Sequence, residues 1–220
     1  MTKRLISIVI TICLMFTVMP LNVLGTQQNG GTDPVSEPFK DVEQSAWYYE
    51  HVKYAIENGI FNGVGDGLFL PDGTMTRGMY ITVLGRMAGI QPVDYLYRDT
   101  FSDVDANAYY ARYVSWANEN GIIKGIGNNR FDPDANVTRE QMAVIMYRVA
   151  ALLKETAIAD VTLTYSDNES ISSWAIDGAK YCQETKVIEG RTGGAFAPGE
   201  SATRAETSVI LQRFIENMLQ

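Results

Sequence analysis

The chain has 220 residues, 46% of them hydrophobic, so a packed core is within reach and disorder is not the default. Its 18 Lys and Arg stand against 26 Asp and Glu, a formal charge of −8, which counts against nucleic acid as a partner because phosphate binding needs a basic face. One histidine, His51, and two cysteines leave little material for a soft-metal site.

Residues 1–25 read as a secretory signal peptide. Lys3 and Arg4 precede an apolar run from Leu5 to Met19, Pro20 breaks it, and Val23-Leu24-Gly25 offers a peptidase site. The run approaches the length of a membrane anchor, but it is short and ends at that site, so cleavage is expected and no transmembrane span remains afterwards. Cys13 has no lipobox before it and leaves with the signal; Cys182 then has no partner for an internal disulfide. Residues 26–38 are rich in Gly, Pro, Gln and Ser and form a flexible linker.

Three similar units follow, at residues 39–95, 96–157 and 158–220. In the first, Asp41 or Ser45 is placed to cap a helix from about Trp47 to Asn58, with Val52, Ala55 and Ile56 on one face and Gly59 at its left-handed end. A turn-rich loop holds Gly63, Phe69 is an apolar peg beneath it, and Pro71-Asp72-Gly73 turns again. Thr76 then opens a second helix with Tyr80, Val83, Leu84 and Met87 as its buried stripe.

The second unit repeats Gly59, Gly63, Phe69, Pro71, Thr76 and Arg77 as Gly121, Gly125, Phe131, Pro133, Thr138 and Arg139; the third continues with Gly190, Phe196, Pro198, Thr203 and Arg204. Thr138 with Gln141 and Thr203 with Glu206 are capping-box patterns. Such a period signals repeated supersecondary units. Each is near the lower limit for an independent core, so the units are expected to share one. Three second helices packed as a central bundle give pseudo-threefold symmetry; an open solenoid is the competing arrangement.

The pattern Phe-x-Asp-Val, an aromatic, a helix, Gly-Ile-x-x-Gly, then Phe-x-Pro and Thr-Arg-Ala-Glu resembles the S-layer homology family, in three tandem copies over about Phe39 to Phe214. The resemblance implies an all-α pseudo-trimer around a central three-helix bundle, and a secreted protein of the bacterial cell surface. It implies non-covalent attachment to secondary cell-wall polysaccharide, often through a pyruvate ketal, in grooves between repeats. The family's motif arginine falls here on Arg77, Arg139 and Arg204 as main sugar contacts.

The chemistry of those residues is compatible. Each arginine follows an N-cap threonine, where free helix amides and a guanidinium fork suit a carboxylate. The rival reading pairs the arginines with Asp41, Asp103 and Asp167 at the unit junctions, and these aspartates are carried as site candidates as well. Arg86, Arg148 and Arg213 lie nine residues further on, two and a half turns away, and are read as solvated or structural positions outside the same pocket. Trp47, Tyr109 and Trp174 begin the first helices; their spacing favours core packing, although Trp47 and Trp174 also suit a sugar face. Gly63, Gly125 and Gly190 shape the loops or allow close approach of a sugar.

Two departures from the pattern stand out. Gly78 weakens the first motif's helix start by about 1 kcal/mol relative to alanine, and Lys186-Val187 replaces the third Gly-Ile pair, so that helix is expected to end differently. Catalysis finds no basis: His51 has no counterpart in the other units, and Asp103-Val104-Asp105 and Asp132-Pro133-Asp134 fail the calcium-loop template at Val114 and Ala143. No enzyme activity, cofactor or metal is expected. The alternative to wall-polysaccharide binding is a structural or adaptor protein that binds peptidoglycan or an unidentified protein partner.

Overall fold

A computed structural model describes residues 39–153 and 161–219. The predicted signal peptide and linker, and the boundary between residues 157 and 158, lie outside the described residues. Six α-helices carry the fold: α1 Tyr49–Glu57, α2 Arg77–Met87, α3 Ala111–Glu119, α4 Arg139–Leu153, α5 Ile176–Thr185 and α6 Arg204–Met218. No strand occurs among the described residues, so the all-α expectation holds.

The short first helices stop for local reasons. Asn58 and Asn120 close α1 and α3, their side chains bonding back to the Tyr54 and Trp116 carbonyls at 2.8 Å. Gly59 and Gly121 then take positive φ. In the third unit Lys186 adopts the same left-handed conformation, φ 56°. The helix does end differently, since α5 runs through Thr185, the position of Asn58 and Asn120, with no asparagine cap, but the left-handed position itself is kept by a lysine at the steric cost that glycine avoids.

The helices pack in a cyclic handover. The second helix of each unit lies against the first helix of the next: α2 on α3, α4 on α5, and α6 back on α1. That closure rules out the open solenoid. Two of the three handovers, α2 on α3 and α4 on α5, have glycines at the contact. A Cβ on Gly178 of α5 would lie 2.7 Å from the Val144 amide nitrogen and 2.8 Å from the Ala143 carbonyl carbon of α4. A Cβ on Gly85 of α2 would strike the Tyr113 ring of α3. Gly78 also belongs to this set, with the Tyr110 ring 2.8 Å from its Cβ position, so it serves close packing as well as marking a weak helix start.

The second helices are buried on more than one stripe. The three equivalent sets Tyr80, Met142, Thr207; Ile81, Ala143, Ser208; and Leu84, Met146, Leu211 are all fully inside. A helix that faces neighbours on several sides loses the amphipathic contrast by which a surface helix is recognised. The pegs Phe69, Phe131 and Phe196 are fully buried, and replacing such a side chain with alanine typically costs about 3–5 kcal/mol.

At one end of the molecule the three N-cap segments form a ring. Thr74 bridges to Thr203, Thr76 to Asn136 and Thr138 to Ser201. Beneath it Met75, Val137 and Ala202 are fully buried. Both capping boxes form: Thr203 and Glu206 exchange bonds at 3.1 and 2.9 Å, and Thr138 and Gln141 at 3.3 Å each.

The inter-repeat grooves as candidate functional site

The first turn of each second helix grips the Phe-x-Pro loop of the next unit. The Arg77 and Gly78 amides donate to the Ala135 and Pro133 carbonyls; Arg139 and Glu140 donate to Glu200 and Pro198; Arg204 and Ala205 donate to Gly73 and Pro71. The third amide of each turn goes to the cap threonine. The helix N-termini are therefore occupied by protein carbonyls, and the expected free amides for a ligand carboxylate are not there.

The arginines complete the grip. Nε of Arg77, Arg139 and Arg204 donates to the carbonyl of Phe131, Phe196 and Phe69 at 2.8, 2.7 and 2.6 Å. Each guanidinium also lies over the same phenylalanine ring, 4.7, 5.6 and 4.5 Å from its centroid, within cation–π range. Their outer nitrogens reach Gln141, the Glu189 carbonyl and the Asn62 carbonyl. Only 7%, 3% and 7% of the three residues is exposed, so little of each arginine is open to a sugar. Burial lowers the pKa of all three, against the opposing pull of nearby carboxylates.

The aspartates hold the same peptides from the other side. Asp41 accepts from the Phe69 and Leu70 amides at 2.8 and 2.7 Å, Asp103 from Phe131 and Asp132, and Asp167 from Phe196 and Ala197. Asp41 does not cap α1; the N-cap residue there is Tyr48, with no side-chain bond. Leu70, Asp132 and Ala197 all have positive φ, so each aspartate pins a left-handed non-glycine residue just before the loop proline. Burial alone would raise the Asp103 pKa, but the amides of Phe131 and Asp132, its own amide and Arg130 together outweigh it and hold the pKa low. The rival reading is thus half correct: aspartate and arginine serve one structural peptide, but they meet through it rather than as a direct ion pair.

Grooves of 410 and 420 Å³ open at two of the seams, within the range of about 300–1,000 Å³ usual for small-molecule sites. One lies between Arg77, the loop from Ile123 to Ile126, α4 and Trp174. The other lies between Arg139, the loop from Ile188 to Thr192, α6 and Trp47. Each therefore draws on all three units. Gly125 and Gly190 line them; a Cβ on Gly125 would meet the Arg130 carbonyl at 2.5 Å and the Phe101 ring at 2.6 Å. Gly63 is shut in likewise by Phe39 and the Leu68 carbonyl, so these glycines shape the loops. At the third seam burial and Asp134 raise the Tyr109 pKa while Arg86 and Arg204 oppose the rise, which sets both guanidiniums near that phenol.

Two sequence expectations change here. Trp47, Tyr109 and Trp174 keep 65%, 59% and 55% of their surface exposed and are not core residues. Trp47 and Tyr109 rest edge-on against Tyr48 and Tyr110. Glu140 fixes the turn that carries Trp174 by accepting from the Ser172 amide and hydroxyl at 3.0 and 3.1 Å. Arg148 and Arg213, assigned outside the pocket, do line grooves: Arg148 beside Arg77, Arg213 beside Arg139. The half-turn argument separates two arginines of one helix, but the ring brings each to the motif arginine of the preceding unit. Lys124 and Glu140 had no signal in the repeat pattern. Among the described residues no acidic, histidine or cysteine cluster could hold a metal, and no helix is long and apolar enough to cross a membrane.

The sequence profile of the S-layer homology domain matches residues 38–78, 100–143 and 164–208. An endoglucanase of Bacillus sp. (strain KSM-635) is 27% identical over 97% of this chain, and an amylopullulanase of Thermoanaerobacterium thermosulfurigenes is 30% identical over 81%. An S-layer protein of Bacillus thuringiensis subsp. finitimus is 26% identical over 84%. The chain spans only 22%, 9% and 22% of those proteins' own lengths. With three matched segments that cover more than half of its length and coincide with the three units of the ring, the chain belongs to the S-layer homology domain family, a family of the bacterial cell surface.

Proposed function

We propose that this protein is a non-enzymatic module that holds to the bacterial cell wall by binding secondary cell-wall polysaccharide in its inter-repeat grooves, with a ketal-linked pyruvate carboxylate as the charged determinant. One observation carries the reading: at two seams an exposed indole faces a groove lined by guanidinium groups. An indole offers a flat apolar surface to a pyranose, and a guanidinium offers a planar fork to a carboxylate. Arg77 and Arg139 contribute mainly by building and charging the groove walls, since their Nε atoms are committed to loop carbonyls. An acidic chain can bind an acidic polymer when the site is locally positive. The large relatives that share this region bear names of glycan-degrading enzymes and surface-layer proteins, in keeping with a module joined to different partners.

The test is a pull-down on purified sacculi, before and after mild acid hydrolysis of ketal-linked pyruvate, with the double variant Trp47→Ala and Trp174→Ala alongside. Both tryptophans are exposed, so the variant keeps its fold. Binding lost on acid treatment and in the variant is expected. Binding that survives both moves the function to a peptidoglycan or protein adaptor.

A further inference from the structure

The two open grooves share a plan but differ in charge. The Arg77 groove is lined by three cationic side chains, Arg77, Lys124 and Arg148, and by no carboxylate. Among the described residues neither Lys124 nor Arg148 is in an ion pair; Arg148 donates to the Ile122 carbonyl. The Arg139 groove also has three cations, Arg139, Arg191 and Arg213, but Glu189 and Glu206 line it with them. There Arg213 pairs with Glu189 at 2.8 Å, and Arg191 with Glu206 and Glu200 at 3.2 and 3.1 Å. The difference is written at three repeat positions: Asn62, Lys124 and Glu189, and Val64, Ile126 and Arg191, in the loops, and Met79, Gln141 and Glu206 in the first helical turns.

We infer that the groove between Arg77, Lys124, Arg148 and Trp174 is the one that receives a carboxylate-bearing sugar, and that the Arg139 groove is closed to anions by its own glutamates. This rests on the reading of the grooves as wall-polymer sites and adds which groove carries the charge recognition. A ligand carboxylate entering the first groove meets Lys124 and Arg148, neither of which is in an ion pair among the described residues. In the second it must displace Glu189 or Glu206 from an existing pair, and gains little by the exchange. Lys124 is the specificity-determining residue because it is exposed on the loop and takes no part in the structural grip of Arg77 on Phe131.

The purified protein, isotope-labelled so that the indole N–H signals of its three tryptophans are resolved, is titrated with three methyl glycosides. They are N-acetylmannosamine bearing a 4,6-linked pyruvate ketal, glucuronic acid, and unmodified N-acetylmannosamine. The expected result is a saturable shift of the Trp174 signal with a carboxylate sugar, while Trp47 stays still. A response to the ketal alone names that group as the source of the charge; a response to both acids assigns the groove to carboxylate sugars in general. Lys124→Glu is expected to weaken the carboxylate probe about tenfold or more, and Glu189→Lys to add a response at Trp47. The inference is overturned if Trp47 responds and Trp174 does not, if Lys124→Glu changes affinity by less than about twofold, or if the uncharged sugar binds as well as the acids. Those outcomes leave the wall reading intact provided sacculi are still bound; a protein that binds neither probes nor sacculi loses both.

Discussion

Arg139 offers the sharpest test of the structural role assigned to the motif arginines. In Arg139→Ala the buried Phe196 carbonyl loses a donor at 2.7 Å, the Glu189 carbonyl loses one at 2.8 Å, and the Phe196 ring loses its cation. A hydrogen bond to a charged group contributes about 1.5–3 kcal/mol, and leaving a buried acceptor unmade costs about 1–3 kcal/mol. The Glu189 carbonyl belongs to an exposed residue and can turn to water, so the Phe196 carbonyl dominates. The cation–π contact adds about 0.5–2 kcal/mol. Relief of the guanidinium's own desolvation offsets part of this. The net expectation is a loss of about 2–4 kcal/mol. At about 2–4 °C per kcal/mol for a domain of this size, the melting temperature falls by about 5–15 °C. Arg139→Lys, which keeps the charge but lacks the fork, should fall in between. Thermal unfolding followed by circular dichroism reads both. A melting temperature of Arg139→Ala within about 1 °C of the parent would refute the claim that the arginine closes the seam.

Further expectations come from other contacts. Gly178→Ala should destabilise by about 1–3 kcal/mol through overpacking against Ala143 and Val144, although helix propensity alone favours alanine by about 1 kcal/mol; a rise in melting temperature would overturn the handover packing. Lys186→Gly should raise stability by up to about 1 kcal/mol, because its left-handed φ then carries no Cβ penalty; unchanged or lower denaturation midpoints would count against it. Asp103 has a folded pKa below its unfolded value, so its charge stabilises above the unfolded pKa and the benefit is lost as pH falls through the folded one. The melting gap between the parent and Asp103→Asn should therefore close as pH drops below about 4; a constant gap down to strong acid would contradict it. Cys182 is fully buried, and burial pushes its thiol pKa up against the weaker lowering influence of Arg139 and the Ile188 amide. A maleimide should label it only on unfolding; fast labelling of the native protein would be inconsistent with that burial.

Local features of this fold were legible in the sequence, and the repeat pointed to pseudo-threefold closure; the partners that meet across the seams were not legible. The capping boxes, the peg phenylalanines and the left-handed glycines each depend on residues a few places apart, and all appear as expected. The arginines' partners are carbonyls 54, 57 and 135 residues away, and a backbone carbonyl has no signature in a side-chain pattern. The aromatic residues lie outside the core that helical spacing predicts for them, because they precede the helices and follow no helical period. Trp47 and Tyr109 precede α1 and α3, and Trp174 sits in a separate turn of Ser173–Ala175. The apolar stripes of the second helices were correct but too narrow, since a helix enclosed by neighbours needs no polar face.

Cyclic handover also explains how the grooves can diverge while the fold does not. Three buried guanidiniums and the N-cap bridges fix the seams and cross from one unit to the next, while three aspartates hold the gripped peptides from within their own units. A change at any of them is felt across the ring. The residues that differ most in charge between seams, Asn62, Lys124 and Glu189, lie on exposed loop positions and carry none of that duty with their side chains. Stability therefore constrains the arginine that builds each groove, while the residue beside it is free to set the groove's charge. A repeat protein of this kind can retain one architecture and present a different ligand preference at each seam. A single unit taken out of the ring would present none, since each open groove takes one wall from every unit.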